Sequence, residues 1–435
     1  MKLKLALLAL ALALAAPVHA ADRNAPATVD DALARAKKAH APVLLDFQAP
    51  WCYSCYFMAT HVLNGREWNA VEAKTVVAQV DADSPDGAAW MKKLQVKALP
   101  ADVVLNENGD ELGRILAEQP REKFYPELNR ILAGGNTFDA LQAKAKSGSR
   151  EAIADVLASY QARGEGQAGL DWYAALPAKR QAGSKSDKRI ALWLDRLQLA
   201  KAEKDKDDAA TITAAKRVLA GDIGCDRPYI VESLLEASEK SPKEERIALL
   251  APQKPALDKL LWEHVFVAHP SCADQRSVVI ATADVDAALG DAPSEAALLN
   301  RAIETARQTL GDDFAKDRNL ADNLRVYLVR AKRNDELDAL YPKLIAAYPD
   351  DYVYAYRWGK SLRERDQPAK ALPLLEQAAE KAYGVNRINV AIERVKVLKA
   401  LNRKGDAEKI VADVLDQNGQ WFPEQVTRLK DALKS

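Results

Sequence analysis

The chain has 435 residues, and its 62 Lys and Arg side chains are balanced by 62 Asp and Glu side chains. This length allows two or three domains with substantial cores. The neutral charge and the lack of a basic patch with interleaved aromatic residues exclude an ordinary nucleic-acid-binding surface. The abundance of Ala, Leu, Lys and Glu favours helices.

The first 20 residues have the pattern of a secretion signal. Lys2 and Lys4 precede an apolar run over residues 5–16, and a small-x-small cleavage site ends at Ala20. An uncleaved anchor is the alternative, but the run is shorter than the roughly 20 residues of a spanning helix. We expect an exported protein, periplasmic in a Gram-negative bacterium, with no membrane span in the mature chain.

Strands and helices are predicted to alternate over residues 28–132. A capping box, with the Asp31 carboxylate reaching back to the Thr28 amide, opens a helix that ends near residue 40. Residues 43–47 form an apolar strand that we expect to be buried on both faces. The remaining predicted elements are a helix beginning at the first cysteine pair, a short helix at 66–73, a strand at 75–80, a helix at 85–94, strands at 101–105 and 111–116 joined by an Asn108-Gly109 turn with positive φ angles, and a helix at 120–132.

The Cys52-x-x-Cys55 motif at the junction of the first strand and the next helix is typical of a redox site. The partial positive charge of a helix N-terminus stabilises a thiolate at Cys52, and one helical turn brings Cys55 within disulfide reach. We predict that Cys52 attacks and Cys55 resolves. A structural bridge is the main alternative. A zinc site is disfavoured because no second Cys-x-x-Cys or suitable His pair lies nearby, and His61 is expected at the surface.

Residues 28–133 resemble a known family through three further features. An aspartate lies six residues before Cys52, a tryptophan directly precedes it, and a Leu-Pro pair precedes the hairpin; these are Asp46, Trp51, Leu99 and Pro100. Together they resemble the thioredoxin fold, in particular the output domain of the DsbD-type thiol reductant transporter and its soluble relatives. The resemblance implies an α/β domain whose central sheet is covered by helices.

The same resemblance implies a role for each of these residues. Pro100 would be a cis proline facing the cysteines, and it would leave the Leu99 backbone free to pair with a substrate strand. Asp46 would be the buried carboxylate that helps to move the proton of Cys55. Trp51 would pack beside the motif and limit its exposure. An ordinary hydrogen-bonded Asp46 and a trans Pro100 at the start of an edge strand are the alternatives.

Beyond residue 135 strand signals nearly vanish and amphipathic helices repeat. We therefore divide the chain into a signal peptide at 1–20, a thioredoxin-like domain at 21–135 and a helical domain at 136–435. Helical hairpins are predicted for 190–200 with 209–219 and for 294–310 with 319–331.

The last third resembles three tetratricopeptide-like hairpins. Gly359, Ala371, Leu375 and Ala378 fit the small and apolar positions of that repeat. Apolar residues recur 34 positions earlier and 36 positions later, at Leu337, Tyr341 and Leu344 and at Ala407, Val411 and Val414. We expect an all-α, TPR-like α-solenoid, with a compact helical bundle as the alternative.

The other two cysteines, Cys225 and Cys272, are expected to form a structural disulfide. The even number of cysteines and the oxidising compartment favour pairing, and the local pairing leaves these two together. A metal site formed by His264, His269 and Cys272 and a second redox pair are the alternatives. We expect no metal and no cofactor.

These patterns favour an exported thiol–disulfide oxidoreductase that acts on protein cysteines and exchanges electrons with a separate redox partner protein. The uncharged dipeptide Tyr53-Ser54 favours a reductase or general exchanger over a strong oxidant. The solenoid would hold a client near Cys52 and raise its effective concentration. The alternatives are a non-catalytic scaffold and a chaperone that binds partner proteins through the helical domain.

Overall fold

The computed structural model describes residues 26–134, 136–184, 186–418 and 420–434. The predicted signal peptide at 1–20 lies outside the described residues. Within the described ranges, no helix is long and apolar enough to cross a membrane.

The first part of the chain has the thioredoxin fold. A four-stranded sheet has the order β2-β1-β3-β4, in which β1 and β2 are parallel and β3 is antiparallel to both of its neighbours. The elements are α1 Val29–Ala39, β1 Val43–Gln48, α2 Tyr53–Phe57 with a π-helical turn Met58–Val62, α3 Gly65–Glu72, β2 Val76–Asp81, α4 Pro85–Leu94, β3 Ala101–Leu105, β4 Glu111–Leu116 and α5 Arg121–Gly134. The predicted element order is therefore confirmed.

Strand β1 is buried on both faces, as its apolar run predicted. Val43, Leu45 and Phe47 pack in a core that also contains residues of α1 and α4. Leu44 packs in a second core, on the opposite face, with residues of α5 and the π-helical turn. Asp46 points towards this second face, because side chains alternate along a strand.

The hydrogen bonds at the start of α1 confirm half of the predicted capping box. The Thr28 hydroxyl accepts a hydrogen bond from the Asp31 amide at 3.1 Å. The Asp31 carboxylate accepts from the Ala27 amide at 3.2 Å instead of from Thr28, so this half of the predicted capping box is wrong. Asp31 also pairs with Arg35 at 2.7 Å. In the β3–β4 turn, Gly109 takes a positive φ of 88° but Asn108 does not, so the predicted positive φ angles are confirmed only for the glycine.

The rest of the described chain is helical. Successive helices pack mainly against their sequence neighbours, and both predicted hairpins are present, as α10 with α11 and α16 with α17. The helices are α6 Phe138–Ser147, α7 Arg150–Ala162, α8 Gly166–Ala174, α9 Ala178–Ser184, α10 Lys188–Asp205, α11 Asp208–Leu219, α12 Arg227–Ala237, α13 Lys243–Leu250, α14 Lys254–Leu260, α15 Gln275–Leu289, α16 Ala292–Leu310, α17 Arg318–Arg330, α18 Asn334–Ala347, α19 Val353–Glu364, α20 Pro368–Lys381, α21 Gly384–Ala400, α22 Lys404–Asn418 and α23 Pro423–Lys434.

Gly359 lies where α19 and α20 approach each other closely. A Cβ at this position would lie 2.7 Å from Leu375 Cγ and 3.2 Å from the Ala371 carbonyl oxygen. The small residue predicted in the first helix of this hairpin is therefore required by its contact with the second. The assignment to the tetratricopeptide class remains a prediction.

Among the described residues, the helical region contacts the thioredoxin-like part at the sheet edge, at the cysteine motif and near Asp83. At the sheet edge, Arg163 pairs with Glu111 of β4 at 2.9 Å. Helix α17 packs on α2, directly behind the cysteine motif. Near the start of α21, the Val385 amide donates to the carbonyl of Asp83 at 3.3 Å. These contacts bring helices from distant parts of the chain around one small domain.

Candidate functional site

The cysteine pair lies at the start of α2. Cys52 and Cys55 are joined by a disulfide with an S–S distance of 2.06 Å. Cys52 is the N-cap residue, and its Sγ accepts a hydrogen bond from the Cys55 amide at 3.1 Å. The same amide can stabilise a Cys52 thiolate once the disulfide is reduced. Both residues are nearly buried, with exposures of 3% for Cys52 and 5% for Cys55.

The Leu99–Pro100 segment lies beside the pair. Its peptide bond is cis, and Pro100 directly precedes β3. Leu99 packs in a small apolar cluster with both cysteines, so the structure brings the predicted substrate-binding residue next to the sulfur atoms.

Asp46 lies on the sheet face that carries α2. It is 5% exposed, and burial raises its pKa to about 7. Directly opposite on β3 lies a second buried aspartate, Asp102, which the sequence reasoning missed. Burial first, and then the charge of Asp46, raise the pKa of Asp102 well above its ordinary value. In the sequence, Asp102 is marked only by being a single carboxylate in the apolar run of β3, two residues after Pro100.

Trp51 is more exposed than the resemblance implied. Its side chain is 40% exposed, and its indole N–H donates to Asp83 Oδ2 at 2.7 Å. The Asn386 amide of α21 donates to the same oxygen at 2.7 Å. Trp51 is therefore held to the loop after β2 and, through Asp83, to the helical region.

Helix α17 contacts the dipeptide between the cysteines. Asn319 Nδ2 donates to the Tyr53 carbonyl at 2.9 Å and to Glu118 Oε1 at 3.1 Å. Glu118 is buried, and burial together with the nearby Asp274 raises its pKa well above the ordinary value. Since Glu118 lies in the loop between β4 and α5, one side chain of the helical region joins two segments of the thioredoxin-like domain.

Arginines from the helical region also reach the motif. The Arg276 guanidinium lies 3.0 Å from the centroid of the Tyr53 ring, and Arg357 Nη2 donates to the Trp51 carbonyl at 2.9 Å. Both arginines pair with the fully buried Asp322 of α17. Burial opposes ionisation of Asp322, but Arg325 and Arg357 outweigh it and hold its pKa far below the usual range. Asp322 thus fixes two cations that contact the residues flanking Cys52.

His61, expected at the surface, is exposed but not isolated. Its Nε2 lies 3.0 Å from Oδ2 of Asp317, so it contributes to the contact between the two parts of the chain.

The second cysteine pair lies in the helical region. Cys225 and Cys272 are disulfide-bonded; Cys272 is 1% exposed and Cys225 is half-buried. The Nδ1 atom of His264 lies 2.7 Å from the Ser271 hydroxyl. Among the described residues, no three or more His, Cys, Asp or Glu side chains are arranged to hold a metal ion.

Comparison with known proteins agrees with this geometry over the first part of the chain. Residues 29–132 match the family model of the thioredoxin-like domain. This part of the chain is therefore a thioredoxin-like domain. The match covers about a quarter of the chain, and the helical region lies outside it.

Similar curated proteins carry the name thiol:disulfide interchange protein DsbD. The protein from Ralstonia nicotianae is 32% identical over 107 residues, which are 24% of this chain and 18% of the relative. The protein from Klebsiella pneumoniae is 37% identical over 87 residues, which are 20% of this chain and 14% of the relative. The chain thus spans less than a fifth of the length of these relatives. A solved thioredoxin from Thermus thermophilus is 30% identical, with 24% of this chain and 83% of the thioredoxin covered and a TM-score of 0.23.

Proposed function

We propose that the protein is an exported thiol–disulfide oxidoreductase that exchanges disulfides with protein cysteines at Cys52 and Cys55. The observation that carries this proposal is the position of the two bonded sulfur atoms, at the start of a helix and in one apolar cluster with Leu99. The names of the DsbD relatives support the same chemistry. The signal pattern at residues 1–20 supports export.

The reaction follows from the two cysteines. In the reduced protein the Cys52 thiolate attacks a client disulfide, one client sulfur leaves as a thiolate, and a mixed disulfide forms. Cys55 then loses its proton to Asp46, attacks Cys52 Sγ and releases the second client thiolate. The client is reduced by two electrons, and the cysteine pair is oxidised. A separate redox partner protein restores the dithiol.

The direction of exchange depends on charges that the sequence reasoning did not include. The dipeptide Tyr53-Ser54 is uncharged, and burial raises the pKa of Tyr53 to about 12, so it stays neutral. Arg276 and Arg357 nevertheless bring positive charge to the motif from the helical region. Such charge stabilises the thiolate and makes the pair more oxidising. Asp322 pairs with both arginines and offsets part of their charge, so we still propose a general exchanger or a reductase, and the measured potential decides between them.

Two measurements test this function. A Cys55→Ser variant should accumulate mixed disulfides with protein clients on Cys52, and a Cys52→Ser variant is the matched control that should capture none. An equilibrium redox titration should place the pair between about −120 and −280 mV. A Cys225→Ser/Cys272→Ser background keeps the second disulfide out of both measurements.

A non-catalytic scaffold is the second candidate, and the 3% exposure of Cys52 favours it. In that case the disulfide would be structural, and the helical region would bind partners. A potential below about −300 mV and no trapped clients would support the scaffold and contradict the exchange reaction.

A further inference from the structure

Two buried aspartates face each other beneath the cysteine motif. The antiparallel register places Asp46 of β1 directly opposite Asp102 of β3. Directly opposed residues point to the same face, with Cβ atoms roughly 5 Å apart. Leu44 and Val104, two residues away on the same strands, pack with Met58 of the motif helix. Both carboxyl groups therefore lie on the face that this helix covers.

Among the residues that the structure describes, no cation compensates this pair. Asp46 is 5% and Asp102 is 1% exposed, and neither forms an ion pair with any Lys, Arg or His side chain that the structure describes. Asp102 Oδ1 accepts no hydrogen bond within the same residues. Two buried like charges without a counter-ion cannot both persist, so one of the two carboxyl groups keeps its proton.

The neighbouring elements add no charge that would change this conclusion. On β2, Gln79 lies beside Asp46, and on β4, Ile115 lies beside Asp102; both are uncharged. From α5, Tyr125 faces this core, and its hydroxyl donates to a backbone carbonyl at 2.6 Å. From α2, the titratable groups besides Cys55 are Tyr53 and Tyr56, whose hydroxyls donate to Asp274 and to the Pro50 carbonyl; burial raises the pKa of both, so they stay neutral.

We propose that Asp46 and Asp102 share one proton beneath the cysteine pair, and that protonated Asp102 donates a hydrogen bond to the Asp46 carboxylate. This inference rests on the proposed exchange function. Asp102 takes the place of a cation: it stabilises the buried Asp46 anion, which is the form that can accept a proton. Asp102 is thus a positioning residue that acts through Asp46.

The shared proton matters when a mixed disulfide on Cys52 is resolved. The Cys55 thiol gives its proton to the Asp46 carboxylate, and the Cys55–Cys52 sulfur bond forms. The bond from Cys52 to the substrate sulfur breaks, and the electron pair leaves with that sulfur. Burial raises the pKa of Asp46 to about 7, so the pair carries a single negative charge above neutral pH and can act as a base.

The first test needs no activity. The titration of aspartate carboxyl groups is followed by NMR in the oxidised full-length protein, with ¹³C-labelled aspartate. The wild-type pair should titrate in two steps, the first at about pH 7 and the second above it. Asp102→Asn keeps a donor and should retain the first step but remove the second. Asp102→Leu removes the donor. It should raise the midpoint of the remaining Asp46 titration by about one pH unit, which is a tenfold increase in proton affinity.

Val104→Ala is the matched control, because it loosens the same face of β3 without changing a charge. It should leave both steps within about 0.3 pH units of the wild type. If Asp102→Leu also leaves the Asp46 step within that margin, the two groups do not share a proton and the proposal is wrong.

The second test asks whether the pair serves Cys55. Reduced protein is mixed with an aromatic disulfide, and release of the aromatic thiol from Cys52 is followed by stopped flow across pH. The release rate should fall at low pH, where Asp46 is protonated. The midpoint of this fall should move up by about one pH unit in Asp102→Leu and stay in place in Asp102→Asn. An unchanged midpoint in Asp102→Leu would overturn the role of the pair in deprotonating Cys55. A protein that titrates as expected but forms no mixed disulfide would contradict the exchange function and support the shared proton.

Discussion

Asp46→Asn should change how the stability of the protein depends on pH. The folded pKa of Asp46 is about 7, against 3.8 for the unperturbed group. The group is protonated in the folded state over a range where it is ionised in the unfolded state, so folding takes up a proton. The stabilising contribution of Asp46 is therefore fully present at acid pH, and it is lost as the pH rises from about 4 through about 7.

The magnitude follows from the difference of about three pKa units. Each unit corresponds to about 1.4 kcal/mol, so Asp46 should cost the folded state about 4 kcal/mol above pH 8. Asparagine does not ionise. The free energy of unfolding of Asp46→Asn should therefore match that of the wild type near pH 4 and exceed it by about 4 kcal/mol near pH 8. Loss of the Asp46 charge also lowers the pKa of Asp102, which acts in the same direction.

Urea unfolding of the full-length protein with both disulfides intact measures this effect. Asp30→Asn is the matched control, because it removes the same charge from an exposed position of α1 in the same domain. Its stability curve should run parallel to that of the wild type from pH 4 to pH 8. If the curve of Asp46→Asn is also parallel, the carboxyl group is not protonated in the folded protein and the reasoning is refuted.

Three further outcomes are expected. Asn319→Ala removes one hydrogen bond to the motif, at the Tyr53 carbonyl, and one to Glu118, and should speed reduction of the Cys52–Cys55 disulfide by dithiothreitol roughly tenfold, whereas an equal rate would show that α17 does not limit access. Gly359→Ala should destabilise the helical region by about 1–2 kcal/mol in urea unfolding, whereas Gly405→Ala, with open space around it, should stabilise it by up to about 1 kcal/mol; equal effects would contradict the packing argument. Replacing Cys225 and Cys272 by serine opens a 47-residue loop and should cost about 4 kcal/mol by the same measurement; no loss would mean that the bridge does not constrain the unfolded chain.

The thioredoxin-like part was predictable because its signals are local. Thr28 caps a helix, Pro85 begins one, and Gly109 allows the turn between two strands. Each of these effects acts within a few residues, so one sequence is enough to place the element. The cysteine motif is equally local, since one helical turn joins Cys52 to Cys55.

The partners of the motif were not predictable, because they come from distant positions. Asp102 faces Asp46 only after the β1–β3 register is fixed, and a lone carboxylate in a short apolar run does not reveal its partner. Asn319 and Arg357 lie more than 200 residues beyond the residues that they contact. A residue on an amphipathic helix shows which face it occupies, but not which surface that face meets.

The position of the helical region changes how a client could be held. The sequence suggested a solenoid surface that presents a client to Cys52, whereas the surface nearest to Cys52 packs on the motif itself. A client cannot occupy that surface while these contacts persist. The helical region therefore covers Trp51 and Tyr53, the residues on either side of Cys52, and any role in client binding has to use other faces or follow the release of this cover.

The contacts that form the cover are individually weak. They are hydrogen bonds and cation–π contacts at the edge of a domain, each worth about 1 kcal/mol. Attack on a disulfide requires a sulfur atom to reach the bonded pair directly, and Cys52 is only 3% exposed. We expect the energy of these contacts to add to the barrier of the proposed exchange reaction, because the motif has to separate from the helical region to expose Cys52. A client that replaces them with its own backbone, beside Leu99, lowers that barrier, whereas a small thiol that makes no such contacts does not.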